Sequence, residues 1–358
     1  MKILLFTDSL GAGGAQRQLV GLACMLANNG YQVKFLTYYN YDFYKHVLDS
    51  NNIENIVLSN AINPINRLLK VRNYIKSYAP DWVIAYQETP SLIACVAKLL
   101  GCNSKLLVSE RNTTQKITFK DKIRFTFYRL ADRIVPNSYT QAELLSKNYP
   151  WMKDRLQTIT NFVDLNKFIF KIGELNNPPL IIVVSSIWPP KNTIGMIEAV
   201  RILVSLGYNF NIKWYGLVDD QVEYVSKCLN LIEEYKLNEY ICLLPKIKNI
   251  EDKYKECNFL CLPSFYEGTP NVICEAIASG RPVICSDVCD NKRYVHEGVN
   301  GFLFNPKDSN DIAKSIVKAL QLSTDNYMEM CKKCRKIAEE LLDEMTFFEQ
   351  YNAIIRNS

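Results

Sequence analysis

Two glutamates stand eight positions apart within the segment from Pro263 to Ser286, PSFYEGTPNVICEAIASGRPVICS. Glu267 comes just before a glycine turn, and Glu275 comes after it. A carboxylate accepts hydrogen bonds from two adjacent hydroxyls, so Glu275 suits a ribose diol and Glu267 suits the hydroxyls of a second sugar. The spacing taken alone also fits a turn-capping Glu267 and a Glu275 on a solvated helix face.

The residues between these glutamates predict the start of a helix beside a site for an anion. Thr269 is a good N-cap, Pro270 suits the first helical position, and Gly280 stands where the helix needs a left-handed terminator. The free amides and the positive dipole end of this helix point into the loop at Gly268 and Thr269, which suits a diphosphate. Glycine at position 268 lets the backbone come close to a ligand.

Apolar runs alternate with helical patterns along the first half of the chain. A helix is predicted from Ala15 to Asn29, closed by Gly30, and the alternation indicates crossover units in a parallel sheet. The predicted strands of this half are Ile3–Thr7, Val33–Thr37, Trp82–Ala85, Lys105–Ser109 and Arg133–Pro136.

The polar, proline-bearing segment KIGELNNPP, from Lys171 to Pro179, marks a change of composition and a predicted domain boundary. The alternation then resumes, with predicted strands at Leu180–Val184, Asn211–Tyr215, Ile241–Leu244, Phe259–Pro263 and Pro282–Ser286. We therefore predict an α/β fold of two Rossmann-like, doubly wound domains facing a cleft, with ligands at the carboxyl ends of the strands. The predicted limits are 1–170, 171–335 and a helical tail, 336–358.

The bulk properties fit this organisation and exclude several classes of protein. With 358 residues the chain exceeds what one core usually supports, and 48% hydrophobic with 22% charged residues excludes a disordered protein. The net charge of +5 is too weak to predict nucleic-acid binding. Met1 is followed by KILLFTD rather than by a secretion signal, and no run is long enough to span a membrane, so a cytoplasmic protein is expected.

Twelve cysteines occur, most of them inside apolar runs, which predicts reduced core residues rather than disulfides. Cys331 and Cys334 form a C-x-x-C motif for which surface helix positions are expected. Because His46 and His296 are the two histidines of the chain, a second ligand pair for zinc is lacking and no metal site is predicted.

The segment EGTPNVICEAIASGRPVICSD, which begins at Glu267, closely resembles the donor-binding signature of glycosyltransferase family 4, whose members have the GT-B fold. Four further segments are similar to motifs of that family and occur in the family's order. They are GAGGAQRQLVGLACMLANNGYQV, ADRIVPNS, ITNFVDLNKF and VHEGVNGFLF, the last expected to form a hairpin. The similarity runs from near Ile3 to near Pro306.

The resemblance implies a role for each matching residue. It places Glu275 on the ribose and Glu267, as a catalytic residue, on the donor sugar. Lys191, in VVSSIWPPKN, falls where the family has a lysine on the donor diphosphate, a second catalytic role, although an unrelated surface lysine is the alternative. The other implied donor-binding residues are Gly268, Thr269, Pro270 and Asn271 through backbone amides, Lys246 and Ile247 beside the nucleobase, and Gly13 and Gly14 beside the donor phosphates or the acceptor. A plain tight turn is the alternative for the glycine pair.

Two positions depart from the family pattern. Ser186, included in the predicted donor site, stands where the family commonly has an arginine beside the diphosphate, so charge neutralisation would rest on Lys191 and the helix dipole. The stretch LVSERN, with Glu110 and Arg111, stands where many members carry an active-site histidine. These two residues are acceptor-side candidates that contact the acceptor or the donor sugar, or they form a structural ion pair.

The resemblance implies a retaining, metal-independent hexosyltransferase. Such an enzyme would move a hexose or N-acetylhexosamine from a nucleotide-diphosphate sugar, with UDP-sugar favoured, to a glycan or lipid-linked glycan in cell-surface polysaccharide synthesis. The nucleotide sugar is a substrate, so no cofactor is expected. A D-x-D pair at a suitable strand end is lacking from the sequence, and a helix amino terminus with Lys191 can hold the diphosphate charge.

Three other classes are alternatives to this interpretation. Gly11 and Gly13 superficially resemble the fingerprint of a nicotinamide-dependent oxidoreductase, but Gln16 stands where a third small residue is required. A GT-B-shaped epimerase or phosphorylase would share the architecture but finds no support in the E-G-T-P-N loop. A non-catalytic binding module is disfavoured because both carboxylates and the lysine are present.

Two segments bear on the acceptor and on the tail. The stretch from Lys116 to Arg133, KITFKDKIRFTFYRLADR, is basic and aromatic at roughly helical spacing. It suits peripheral contact with anionic lipid at the inner face of the membrane, or it packs as an ordinary amphipathic helix on its own domain. The helical tail is expected to cross back to the amino-terminal domain, with Phe347 and Phe348 as packing anchors.

Overall fold

The computed structural model describes residues 1–58, 63–217, 222–247 and 249–357. These residues form two compact units, which we call unit 1 (Met1–Asn161 with Met345–Ser358) and unit 2 (Phe162–Glu344). The chain therefore leaves unit 1 once and returns to it at its end. The boundaries of the compact units lie after residue 161 and after residue 344, whereas the predicted domain limits lie after residues 170 and 335. The predicted limits refer to functional domains and stay a prediction.

Unit 1 contains a six-stranded sheet in which every pair of neighbouring strands is parallel. Its strands are β1 (Lys2–Phe6), β2 (Gln32–Thr37), β3 (Glu54–Val57), β4 (Trp82–Tyr86), β5 (Lys105–Ser109) and β6 (Arg133–Ile134), in the order β3-β2-β1-β4-β5-β6. The central strands β1 and β4 are buried because helices cover both faces of a doubly wound sheet. Five of these strands match the predicted ones, and β3 was not predicted.

The helices of unit 1 follow the strands in the alternation expected of crossover units. They are α1 (Gly14–Asn28), α2 (Lys45–Ser50), α3 (Pro64–Tyr78), α4 (Glu88–Leu99), α5 (Phe119–Phe127) and α6 (Tyr139–Asn148), with 3-10 turns at Tyr128–Leu130 and Pro150–Arg155. Gly30 has a φ of +82° just after α1, as the predicted terminator requires. A capping box between Thr118 and Asp121 starts α5.

Unit 2 repeats this architecture with a second parallel six-stranded sheet. Its strands are β7 (Leu180–Val184), β8 (Asn211–Leu217), β9 (Ile241–Pro245), β10 (Phe259–Leu262), β11 (Val283–Ser286) and β12 (Gly301–Phe304), in the order β12-β11-β10-β7-β8-β9. The hairpin expected from Val295 to Phe304 is wrong, because β12 pairs in parallel with β11. The strand that pairs with β12 therefore lies outside the segment from Val295 to Phe304.

The helices of unit 2 lie between these strands and after them. They are α7 (Thr193–Ser205), α8 (Val222–Glu234), α9 (Ile250–Glu256), α10 (Asn271–Ala278), α11 (Asn291–Tyr294), α12 (Ser309–Leu320) and α13 (Thr324–Leu341), with a 3-10 turn at Pro189–Lys191. The predicted start of α10 is wrong by one position, since Pro270 is the N-cap and Asn271 the first helical residue. Gly280 ends this helix region with a φ of +72°, as predicted.

Buried cysteines belong to the cores of both units, and all twelve are free thiols. The surface positions expected for Cys331 and Cys334 are wrong, because both side chains are fully buried on α13. Burial raises the pKa of both thiols. The C-x-x-C spacing thus reflects one apolar face of a helix.

The last helix, α14 (Glu344–Asn357), belongs to unit 1 from Met345 onward. Its buried residues are Phe347, Phe348, Tyr351, Ile354 and Ile355. The indole N–H of Trp82 on β4 donates to the backbone carbonyl of Ile355 at 3.3 Å. The hydroxyls of Tyr86 and Tyr351 lie 2.6 Å apart, so the tail completes the core of unit 1 rather than lying on its surface. Within the described ranges, no helix combines the length and apolarity that crossing a bilayer requires.

Candidate active site

Lys191 lies in the loop that follows the carboxyl end of β7 in unit 2. The loop is held in a defined shape, because Asn192 adopts a left-handed conformation with φ of +59° and donates through Nδ2 to the carbonyl of Pro306 at 2.7 Å. A Cβ atom at Gly195 would lie 2.3 Å from Oδ1 of Asn192, so the glycine is required for this packing. The backbone that carries Lys191 is therefore fixed by buried contacts.

Glu267 lies opposite Lys191, in the loop that follows the neighbouring strand β10. The two loops are joined by a backbone hydrogen bond from Phe265 N–H to the carbonyl of Pro190 at 2.9 Å. Lys191 Nζ then donates to Glu267 Oε1 at 2.6 Å, and the side chains are 23% and 13% exposed. A cation and a carboxylate thus meet at the carboxyl ends of two adjacent parallel strands, where such sheets bind ligands.

The amino terminus of α10 begins directly after the loop that bears Glu267. Gly268 and Thr269 lead into the helix, and Thr269 is buried. Pro270 at the N-cap has no side-chain hydrogen bond to the first turn. The amide-rich, positive end of an α-helix therefore adjoins the Lys191–Glu267 pair, which makes this edge of the sheet suited to an anionic group.

Glu275 lies one helical turn further along α10 and is 3% exposed. Its Oε2 accepts a hydrogen bond from the hydroxyl of Tyr254 on α9 at 3.0 Å, and the same hydroxyl is 3.2 Å from the carbonyl of Val272. The alternative of a solvated helix face is therefore wrong for this residue. Tyr254 fixes the orientation of a carboxylate that is otherwise costly to bury.

Three further predicted site residues of unit 2 follow β7 or β9. Ser186 is partly buried between two backbone hydrogen bonds that tie the β7 loop to β8, from Ser185 N–H to Tyr215 O and from Ile187 N–H to Gly216 O. Lys246 and Ile247 follow β9, the edge strand, which β8 separates from β7. The described contacts bring Lys191 and Glu267 together but join neither Lys246 nor Ile247 to them.

In unit 1, Gly13 is the N-cap of α1 and Gly14 is its first residue. A Cβ atom at Gly13 would lie 2.1 Å from Oε1 of Gln16. Gln16 in turn donates through Nε2 to Oδ1 of Asp8 at 3.0 Å. The glycine at position 13 therefore has a packing reason of its own, which fits the tight-turn alternative as well as a ligand.

Glu110 and Arg111 follow β5 and have separate partners. Glu110 is buried, accepts from Arg124 Nη2 at 3.2 Å and also accepts from the hydroxyl of Tyr128. Burial raises the pKa of Glu110 to about 7, against the lowering effect of Arg124 and Tyr128. Of the two alternatives for these residues, an ion pair between Glu110 and Arg111 is wrong, because the cation that pairs with Glu110 is Arg124.

Two features of the site were not predicted from the sequence. Tyr254 stands 21 positions from Glu275, and nothing in its own segment marks it as the partner of a buried carboxylate. Asn192 follows Lys191 directly, and an asparagine is one of the few residues that tolerate the left-handed conformation it adopts. That tolerance was a weak signal for a sharp loop after β7.

The comparisons with known proteins extend over both units. The family model described as Glycosyltransferase Family 4 matches residues 12–167, and that described as Glycosyl transferases group 1 matches residues 165–341. The chain is 26% identical over 318 residues to the Campylobacter jejuni "N-acetylgalactosamine-N,N'-diacetylbacillosaminyl-diphospho-undecaprenol 4-alpha-N-acetylgalactosaminyltransferase", covering 80% of each chain. It is 28% identical over 200 residues to the Escherichia coli "UDP-Gal:alpha-D-GlcNAc-diphosphoundecaprenol alpha-1,3-galactosyltransferase", covering 51% of this chain and 49% of that one.

Among solved structures, Anabaena HepE in complex with UDP-glucose superposes with a TM-score of 0.88 at 18% identity, over all of both chains. Two units, each with a six-stranded parallel sheet, and the two family models that match them define a glycosyltransferase of the GT-B fold. More narrowly, the chain belongs to glycosyltransferase family 4. This membership does not support the oxidoreductase alternative.

Proposed function

We propose that this protein is a retaining hexosyltransferase that takes a hexose or N-acetylhexosamine from a UDP-sugar without a metal ion. The acceptor in this proposal is a glycan or a lipid-linked glycan of a cell-surface polysaccharide pathway. The observation that carries the proposal is the Lys191–Glu267 pair beside the amino terminus of α10. It combines a cation, helix amides and a carboxylate at one ligand-binding edge.

In the proposed donor complex, each group has one task. Glu275, already oriented by Tyr254, accepts hydrogen bonds from the ribose hydroxyls. The first amides of α10 and Lys191 Nζ hold the diphosphate, and because Ser186 replaces the family's arginine, Lys191 carries the main side-chain charge there. Glu267 accepts hydrogen bonds from hydroxyls of the sugar.

The proposed transfer takes place on one face of the sugar. The bond from the anomeric carbon to the diphosphate oxygen breaks, and a bond from that carbon to the acceptor oxygen forms on the same side. The acceptor proton passes to the departing diphosphate oxygen, while Lys191 and the α10 dipole stabilise its growing negative charge. Glu267 stabilises the positive charge that develops on the sugar ring.

Two of the relatives support a lipid-linked acceptor, since their names include a diphospho-undecaprenol glycan. The name of the Escherichia coli relative also includes UDP-Gal, which supports a UDP-sugar donor. On unit 1, helix α5 exposes Phe119 by 77% and Ile123 by 40% beside Lys122, at a shallow depression of about 310 Å³. Exposed apolar side chains beside a lysine suit contact with an anionic membrane surface, and we propose this as the place where a lipid-linked acceptor is met.

The proposal is tested by a hydrolysis screen of nucleotide sugars in the presence of chelator. We expect a UDP-sugar to be hydrolysed, and calorimetry to show UDP binding of unchanged affinity with and without chelator, because the site supplies its own positive charge. Nuclear magnetic resonance of the sugar that is released first should show that its anomeric carbon keeps the configuration it had in the donor. UDP binding that appears only with magnesium or manganese contradicts the metal-free part, and inversion of the anomer contradicts retention.

Replacing Glu275 by alanine should weaken UDP binding about ten- to hundredfold, since hydrogen bonds to a charged group contribute roughly 1.5–3 kcal/mol. The matched control is Glu198→Ala, because Glu198 on α7 also accepts from a tyrosine hydroxyl, that of Tyr235 at 2.9 Å, but is 27% exposed and pairs with Arg201. Titration calorimetry on both variants checks this. Equal affinities for Glu275→Ala and the control would remove Glu275 from the nucleotide site.

A further inference from the structure

Three arginines are buried in the described residues, and the structure satisfies them in different ways. Arg124 contacts three carboxylates, those of Glu88, Glu110 and Asp121, at 2.7 to 3.2 Å. Arg281 donates from each of its three nitrogens, to Tyr254 O, Tyr327 Oη and Lys171 O. Buried guanidinium groups are retained when they are paired or fully hydrogen-bonded, and both of these follow that rule.

Arg111 follows neither pattern. It is 7% exposed and lies just after the carboxyl end of β5. Its guanidinium has five N–H donors, yet its hydrogen bonds are one from Nη2 to Oδ1 of Asn161 and one of 3.5 Å from Nη1 to Oγ of Ser109. Its Nε is buried without a partner; the Nε of Arg124 is as well, but Arg124 has three carboxylates in contact and Arg111 has none in the part of the chain that the structure describes. Among the described residues no carboxylate contacts Arg111, so its acceptors are neutral and one of the two bonds is at the limit of hydrogen-bond distance.

The position of the Arg111 guanidinium is nevertheless fixed. Its central carbon lies 4.5 Å from the ring centroid of Tyr86, a cation–π contact. The hydroxyl of Tyr86 is bonded to that of Tyr351 on α14, and both tyrosines are fully buried. A planar cation is thus held rigidly with unused donors at the strand-end edge where sheets of this kind bind ligands.

We infer that Arg111 binds an anionic group, and specifically a phosphate of a substrate. The planar fork of a guanidinium matches two phosphate oxygens, and an anion would supply both the missing hydrogen-bond acceptors and the missing counter-charge. The weak bond to Ser109 Oγ is the one that an anion oxygen would replace. That this phosphate belongs to a substrate rests on the proposed function, in which the UDP-sugar carries a diphosphate and a lipid-linked acceptor carries another.

The test compares the full-length protein with Arg111→Gln and with Arg129→Gln as matched control. Arg129 also stacks on a ring, 4.8 Å from that of Trp151, but it is exposed in the same unit. Each protein is titrated first with UDP and then, while saturated with UDP, with inorganic pyrophosphate. Loss of UDP affinity by about ten- to hundredfold in Arg111→Gln alone assigns the site to the donor diphosphate.

A second outcome is that Arg111→Gln binds UDP as tightly as the wild type but, once saturated with UDP, no longer binds pyrophosphate. If the control variant keeps pyrophosphate binding, this outcome assigns the site to a second, acceptor-type diphosphate. If the affinities for UDP and for pyrophosphate are the same in Arg111→Gln and in the control, the inference is overturned. A wild-type protein that does not bind UDP refutes the proposed donor, and the pyrophosphate titration then tests Arg111 by itself.

Thermal unfolding without ligand gives a second, independent result. Because Arg111→Gln removes a buried charge that lacks a counter-ion, we expect its Tm to equal or exceed that of the wild type. A clear fall in Tm would show that Arg111 already stabilises the empty protein through its present contacts, and this would also overturn the inference.

Discussion

Replacing Glu267 by glutamine should lower the turnover number by about a hundred- to a thousandfold, the loss typical of removing one charge-stabilising group from an active site. The substitution keeps the size of the side chain but removes the charge that faces Lys191 at 2.6 Å. Lys191 then has no competing carboxylate, so affinity for UDP should stay the same or increase. This opposite movement of turnover and binding is expected only if Glu267 acts on the sugar and Lys191 on the diphosphate.

The matched control is Glu256→Gln. Glu256 pairs with Lys253 at 2.8 Å in the same unit, but the side chains of this pair on α9 are 51% and 31% exposed. An exposed pair of this kind contributes little, so we expect turnover within about twofold of the wild type. Steady-state rates with a UDP-sugar, together with UDP calorimetry, measure both quantities. A Glu267→Gln protein that transfers sugar at the wild-type rate places Glu267 outside the reaction centre.

A chain that ends at residue 344 should lose transfer completely, because it lacks most of α14. The five apolar side chains that α14 buries in unit 1 each contribute about 1.5–3 kcal/mol. Their sum is comparable with the total stability of a typical domain, about 5–15 kcal/mol. Unit 1 should therefore unfold, whereas unit 2 keeps Lys191, Glu267 and Glu275 and should still bind UDP.

Limited proteolysis and calorimetry distinguish these outcomes. We expect rapid cleavage within 1–161 and protection within 162–344 in the shortened chain. In the full-length protein, Phe348→Ala should be destabilising by about 3–5 kcal/mol, whereas Met345→Ala, on the exposed side of the same helix, should be nearly neutral. Transfer at the full rate by the shortened chain would show that the tail is dispensable.

The long apolar strands were predictable from the sequence, and the short ones were not. The predicted bounds of β5 and β7 are those observed, because each strand contains a continuous buried apolar stretch, residues 106–108 in β5 and 181–183 in β7. β3 has four residues, two of them polar, and is an edge strand of its sheet, so its own pattern is weak. β12 was misassigned because its pairing with β11 depends on tertiary contacts rather than on its own sequence.

In the candidate site, too, features that neighbouring residues determine were predictable, and features that depend on residues distant in sequence were not. The helix after Glu267 and its glycine terminator follow from neighbouring residues, and α10 confirms the helix. The pairing of Lys191 with Glu267 joins residues 76 positions apart and arises because β7 and β10 are neighbours in the sheet. Likewise, the buried environment of Glu275 depends on Tyr254, which α9 supplies. The chemical roles of these residues stay predictions.

The return of the chain to unit 1 has a consequence for its biosynthesis. Residues 1–161 leave the ribosome first, but their core is completed only by Met345 and the residues that follow it. At typical rates of translation, the amino-terminal segment waits roughly ten to forty seconds for its last helix. Until then Trp82 and Tyr86 lack the partners that α14 supplies. Unit 2 is continuous in sequence and can fold during this interval, so the nascent chain should complete its second unit first and depend on chaperones for the other.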